Sequence, residues 1–159
     1  MEKLFSGKVS SKKIKKKYLK SIYNKEKYGQ FLLGENTTKI IHLDPKLLLF
    51  TLSRYKFVAK MLSGKTNVLE IGCQEGFGSI LVAKEVGHLH CTDFYIPYIE
   101  SCKKRIRQKN ISFEPYDILD GPHGGCDYDG IYALDVFEHI EPEAENSFLE
   151  NIVNSLNKS

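Results

Sequence analysis

Four carboxylates and one glycine-rich turn carry the chemistry open to this sequence. Glu70, Asp93, Asp117 and Asp135 each close a short, largely apolar run: 68–71, 88–92, 111–116 and 128–134. Aspartate often follows a strand because it suits turns and helix N-caps, so one such acid means little. Four in series, beside Gly72, Gly76 and Gly78, describe a binding edge. Val68, Leu69 and Ile71 suit a strand covered on both faces, and the glycines permit positive φ or close backbone approach. A strand, a glycine turn and a helix start bring backbone amides close to a nucleotide-like ligand at the strand's carboxyl end. Asp93 follows Gly72 by about 20 residues, the spacing of an acid that binds ribose hydroxyls.

These motifs in combination resemble the class I S-adenosylmethionine-dependent methyltransferases. Val68-Leu69-Glu70-Ile71-Gly72-Cys73-Gln74-Glu75-Gly76 is similar to their first motif, an acid and an apolar residue followed by Gly-x-Gly-x-Gly. Cys91-Thr92-Asp93-Phe94-Tyr95 resembles the second-strand acid and its neighbours, and Asp117-Ile118 the adenine-contacting pair. The run from Tyr128 to Ile140 resembles the fourth-strand motif of small-molecule methyltransferases. The likeness extends from about Asn67 to the C-terminus. One departure stands out: Gln74 occupies the place of the middle glycine, so its side chain must turn away from the methionine part or contact it.

The resemblance implies S-adenosyl-L-methionine as cofactor and a role for each position. Glu70 would hold the loop or reach the methionine amino group. Gly72, Cys73, Gln74 and Gly76 would surround the amino-acid end. Asp93 would bind both ribose hydroxyls, with Phe94 flanking the adenine. Asp117 would accept from the adenine amino group, with Ile118 packed on the base. Asp135 would stand near the transferred methyl as both a cofactor contact and a catalytic group. A dinucleotide is the physical rival, since Asp93 suits any ribose, but Gln74 and Glu75 would crowd or repel a pyrophosphate.

Methyl transfer from a sulfonium is an in-line displacement, so alignment dominates and a general base can assist. His139 is the base candidate because imidazole titrates near neutrality. Asp135, Glu138 and His139 share a face if they lie on a helical turn. That spacing also resembles a metal-binding pattern in some methyltransferases, so base, metal ligand and structural packing stay open as readings. His139 and Asp135 are the expected catalytic residues, and no metal is expected.

The surrounding elements must position these groups. Asp44 and Pro45 mark a helix start, and the apolar spacing from Leu47 to Leu62 continues it to Ser63-Gly64. His42 falls before it, on the surface or in a loop. A helix follows the glycine turn to about Val86. Another runs from about Pro97 to Asn110, with Lys103, Lys104, Arg105, Arg107 and Lys109 suiting its C-terminal dipole. A last helix begins at Pro142. The first 30 residues hold ten lysines against Glu2 and Glu26, whereas the whole 159-residue chain carries a net charge of +3. Ser11 to Tyr28 reads as a basic amphipathic helix, more in keeping with docking near the site than with nucleic acid.

The apolar share of 42% suits a soluble globular domain. No run approaches a membrane span of about 18 residues. Cys73, Cys91, Cys102 and Cys126 lack Cys-x-x-Cys spacing and read as reduced thiols of a cytoplasmic protein. The expected architecture is α/β: a Rossmann-like three-layer α/β/α domain with a mainly parallel sheet, its first four strands ordered 3-2-1-4. Residues 1–43 form a lysine-rich helical extension and 44–159 the S-adenosylmethionine-binding domain, which the resemblance implies is incomplete at its C-terminus. The expected function is methyl transfer to an O or N atom of a small molecule, such as a sugar or polysaccharide precursor. The alternative is a non-catalytic, truncated cofactor-binding or assembly module. The fourth strand would then be an open edge, inviting self-association.

Overall fold

The computed structural model describes residues 30–125 and 127–156. The stretch Ser11 to Tyr28 lies outside the described residues. Leu33–Ser159 forms one compact unit, and every element below lies in it. Four strands, β1 (Asn67–Ile71), β2 (His88–Asp93), β3 (Ile111–Pro115) and β4 (Gly130–Ala133), form one sheet in the order β3-β2-β1-β4, parallel throughout. This is the expected Rossmann-like order.

Alternation along each strand sends side chains to two cores. Val68, Leu89, Cys91 and Tyr132 face one side, under α2 (Pro45–Met61), α3 (Ser79–Ala83) and α4 (Ile96–Arg105). Leu69, Ile71 and Tyr128 face the other, where Phe148 of α5 (Glu145–Ser155) covers them. Burial on both faces is why β1 is rich in branched apolar residues rather than alternating with polar ones.

Helix α2 begins as its sequence signals: Pro45 is in the first turn and the Asp44 carboxylate accepts from the Lys46 amide at 3.2 Å. Three boundaries differ from expectation. Helix α3 stops at Ala83, because the segment after it pairs with the α2–β1 connection: Gly64 N donates to Glu85 O at 2.9 Å and Gly87 N to Lys65 O at 2.8 Å. Helix α4 stops at Arg105, because Ile106 turns extended and buries its side chain in the core. Lys103, Lys104 and Arg105 occupy its last turn, and Arg107 and Lys109 fall beyond it. Pro142 opens a 3₁₀ turn, Pro142–Ala144, which feeds α5. His42 is helical and exposed, in the last turn of α1 (Glu35–Leu43).

Helix α1 lies within the stretch 1–43, yet a distant side chain holds its start. Gly34 at its N-cap offers no side chain. The Glu75 carboxylate from the glycine turn accepts from Asn36 N at 2.8 Å, Thr37 N at 2.9 Å and the Thr37 hydroxyl at 3.0 Å. An anion bound to the free amides of a helix N-terminus is favoured both by hydrogen bonding and by the helix dipole.

Strand β4 pairs with β1 along one side. On its other side, among the described residues, the sheet pairing is a single parallel bridge between Tyr128 and Leu156, just before the strand.

Candidate functional site

The turn after β1 wraps over the end of β2. Gly72 N and Cys73 N both donate to Thr92 O, at 2.8 and 2.9 Å. Gly72 has φ +74, and a Cβ there would stand 2.4 Å from Val136 Cγ2. Glycine is thus required both for the turn and for the close approach of the segment after β4. Gln74 adopts φ +47, the left-handed conformation that a glycine would take freely. Its side chain meets α1, where Asn36 Nδ2 donates to Gln74 Oε1 at 3.3 Å.

Asp93 ties this turn to the next. Its carboxylate accepts from Gln74 N at 2.8 Å and from Tyr95 N at 2.9 Å, while only 5% of the residue is exposed. Each oxygen keeps a further lone pair for a hydroxyl donor. After β3, the Asp117 carboxylate accepts from Leu119 N at 2.9 Å and starts the 3₁₀ turn Ile118–Asp120. After β4, Asp135 takes φ +56 and its side chain bonds Arg54 Nη2 of α2 at 2.5 Å. Gln74 and Asp135 are the non-glycine residues with positive φ among the described residues, and both border one cleft. Such strain persists only where the surroundings enforce it, and it concentrates at functional sites.

That cleft has a volume of about 440 Å³, within the range of small-molecule sites. The structure brings together Gly72, Gln74, Asp93, Phe94, Asp117, Ile118, Asp135 and His139 on its wall. It adds Tyr95, Tyr98, Tyr116, Val136, Ile140 and Phe148, which the sequence reading passed over. The signal for the first two was present: Phe94, Tyr95 and Tyr98 crowd three aromatics just past a strand-end acid.

Glu70, Cys73 and Gly76 are not on this wall. Glu70 is 1% exposed, below the turn; Tyr55 OH donates to Oε1 at 2.8 Å and the Cys91 thiol to Oε2 at 3.2 Å. Burial raises its pKa from the ordinary 4.5, against the opposing influence of Ser79, Tyr55, Cys91 and Tyr132. The carboxylate therefore reaches no ligand in the cleft and instead joins α2 to the sheet. Gly76 is pressed against Ile106, Phe113 and Cys102, leaving no room for a Cβ. Cys73 is 2% exposed. A hydrogen bond with Cys102 lowers its pKa, but Cys91, burial and Glu70 outweigh it and hold the thiol protonated. Burial likewise pushes the Cys91 thiol up to about 12.

The residues after β4 do not form the α-helical turn expected of them. Asp135 is left-handed, and only Phe137–His139 are 3₁₀-helical. Asp135, Glu138 and His139 therefore do not share one helical face. Among the described residues no three His, Cys, Asp or Glu side chains group to hold a metal ion. His139 is exposed at the cleft rim.

The donor set suits one cofactor better than its rival. Among the described residues lining the cleft are three aspartates and no lysine or arginine. A diphosphate would meet repulsion there, whereas a ribose finds acceptors and a sulfonium finds negative charge. Glu75 plays no part in this discrimination, contrary to the sequence argument, because α1 occupies its carboxylate.

The strand order, the glycine turn and the acids at successive strand ends define the class I S-adenosylmethionine-dependent methyltransferases. A family model described as "Methyltransferase domain" matches residues 68–159, and the chain belongs to that family. No curated protein sequence matches it. Among solved structures, it is similar to the N-methyltransferase NodS from Bradyrhizobium japonicum WM9 in complex with S-adenosyl-L-homocysteine. The two share 23% identity and a TM-score of 0.58, over 66% of this chain and 54% of that one. It is similar to a structure described as StiE O-MT residues 961–1257, with 26% identity and a TM-score of 0.55, over 67% of this chain and 39% of that one. The [4+2]-cyclase SpnF matches with 17% identity and a TM-score of 0.57, over 67% and 41%. The chain thus spans about half the length of NodS. At 23% and 17% identity the likeness is one of fold.

The raised pKa of Glu70 gives a test of its environment. The folded state holds this proton more tightly than the unfolded chain, whose carboxyl titrates near the ordinary 4.5. The stability it contributes is full below that value and declines as pH rises through the folded pKa. Thermal melts from pH 4 upward should show the Tm of Glu70→Gln gaining steadily on that of wild type. A Tm difference independent of pH would refute a raised pKa.

Proposed function

We propose that this domain binds S-adenosylmethionine in the 440 Å³ cleft and directs its methyl group to an oxygen or nitrogen of a small molecule. The observation that carries the reading is the cleft's donor set, with Asp93, Asp117 and Asp135 on its wall and no cationic side chain among its described lining residues. In this reading Asp93 takes the ribose hydroxyls and Asp117 the adenine amino group, while Phe94 and Ile118 enclose the base. Gly72 and Gln74 contribute backbone along the amino-acid end. Glu70, Cys73 and Gly76 act on that end through the shape of the turn. In this reading the domain proper covers 44–159, with 1–43 as an extension to it.

When bound, the cofactor supplies an electrophilic methyl on a sulfonium. The protein's own work is to align the acceptor and to move one proton. His139, exposed at the cleft rim, would take the acceptor's O–H or N–H proton on an imidazole nitrogen as the new bond to carbon forms. Asp135 would favour the positive charge that the imidazole then carries. The N-methyltransferase and O-MT descriptions of NodS and StiE support an O or N acceptor, and a sugar or polysaccharide precursor is the acceptor class we favour. Nucleic acid has no part in this reading. The buried, unpaired thiols of Cys73, Cys91 and Cys102 are in keeping with the cytoplasm. Among the described residues no helix is long and apolar enough to cross a membrane.

Three outcomes are expected. Asp93→Ala should weaken S-adenosylhomocysteine binding, measured by calorimetry, by about 1.5–3 kcal/mol; unchanged affinity in a folded variant would reject the ribose role. His139→Ala should slow methyl transfer by roughly 10²–10⁴-fold with cofactor affinity nearly constant. Full activity would remove His139 from the chemistry, and activity lost on chelation and restored by a divalent ion would make it a metal ligand. Finally, β4 has no ladder on the side away from β1 among the described residues, and that edge should let the chain self-associate, since an unpaired strand edge is a template for pairing. Light scattering that shows a monomer at all concentrations would exclude that contact.

A further inference from the structure

The loop Gly121-Pro122-His123-Gly124-Gly125 follows the 3₁₀ turn after β3. None of its residues lines the 440 Å³ cleft, yet its histidine is only 6% exposed. An imidazole so buried needs partners for its nitrogens. Gly125 N donates to His123 Nδ1 at 3.3 Å, and the Tyr128 hydroxyl lies 2.8 Å from the same nitrogen. A backbone N–H can only donate, so Nδ1 is the acceptor and Nε2 carries the proton. Nε2 stands 3.4 Å from Glu114 Oε2 of β3. The backbone of His123 is fixed as well, its N–H donating to Ser155 Oγ of α5 at 2.8 Å. A Cβ at Gly125 would stand 2.7 Å from His123 Cε1, so the loop closes directly on the ring.

The imidazole so held meets one residue of the cleft. Tyr116 contacts it edge to face, with ring centroids 4.7 Å apart and planes at 83°. Tyr116 lines the cleft beside Asp117 and Ile118. Its hydroxyl lies 3.0 Å from Gly121 O and 3.2 Å from Pro122 O, so the same loop holds its tip. A tyrosine held at the tip alone can still turn about its long axis. An edge-to-face partner selects one orientation of the ring.

We infer that His123 is a positioning residue for the cofactor: it sets the Tyr116 ring that the nucleoside meets, and touches no ligand itself. The inference rests on the cofactor reading above and extends it to a residue outside the cleft. Affinity should accordingly depend on the imidazole only while Tyr116 is present.

A double-mutant cycle read by calorimetry with S-adenosylhomocysteine tests this. His123→Leu removes the imidazole, and Gly125→Ala, at an exposed loop position, displaces it. Each should weaken binding by about 3- to 10-fold, the equivalent of one lost contact between aromatic rings. Tyr116→Leu should weaken it at least as much. In the Tyr116→Leu background neither change should weaken it further, because the ring through which His123 acts is gone. A role in stability alone predicts the opposite, losses that multiply in the double variants. Multiplied losses, or any of the three single variants binding like wild type, would overturn the inference and leave the cofactor reading standing. Gly125→Ala decides the matter should His123→Leu fail to fold. Wild type that binds no S-adenosylhomocysteine would overturn both readings.

Discussion

The site depends on the Asp93 carboxylate, held between two backbone amides from different connections. Gln74 N comes from the turn after β1 and Tyr95 N from the turn after β2. A charged acceptor binds an amide more strongly than a neutral one does, and a shielded environment strengthens it further. The Asp93 carboxylate is thus the clasp that gives the glycine turn its shape. In the ribose role proposed for it, binding and scaffold would rest on one side chain. The amides of Gly72 and Cys73 on Thr92 O reinforce the same junction.

Beneath the clasp lies a buried carboxyl group. A carboxylate taken out of water is costly unless donors surround it. Glu70 collects Tyr55 from α2 and Cys91 from β2, and the hydroxyls of Ser79 on α3 and Tyr132 on β4 also favour its charged form. Four elements are thereby referred to one point below the turn. An apolar side chain would fill the space but would leave the Tyr55 hydroxyl and the Cys91 thiol without this acceptor, so the acid helps to fix which elements meet. The register agrees, since Glu70 lies opposite Cys91 on one side and Tyr132 on the other.

The sheet was legible because β1 is a short apolar run before a glycine turn and an acid stands at or just beyond the end of each strand, a pattern independent of long-range detail. The acids at Asp93, Asp117 and Asp135 were legible for the same reason, since a strand's carboxyl end in this fold opens on the cleft. Glu70 has the same sequence signature, but it belongs to β1 itself, so strand alternation turns its side chain inward rather than over the edge. No local pattern reveals that Tyr55, fifteen residues earlier, supplies its partner. The helix ends were misjudged where tertiary contacts cut them short, as at Ile106, whose burial outweighs the helical preference of the lysine-rich run before it. The turn after β4 misled because a helical spacing of Asp135, Glu138 and His139 was interrupted by a left-handed aspartate.

Gln74 and Glu75 show how a departure from the glycine pattern is accommodated. A side chain at position 74 that projected into the cleft would compete with the ligand for space. Its left-handed backbone instead places the amide against Asn36, and Glu75 turns to the first amides of α1. The same two residues therefore fix a helix that borders a second cleft. Any strain relieved or added at the turn reaches α1 through these bonds. Helix α1 is thus tied to the glycine turn by hydrogen bonds to two consecutive side chains of that turn.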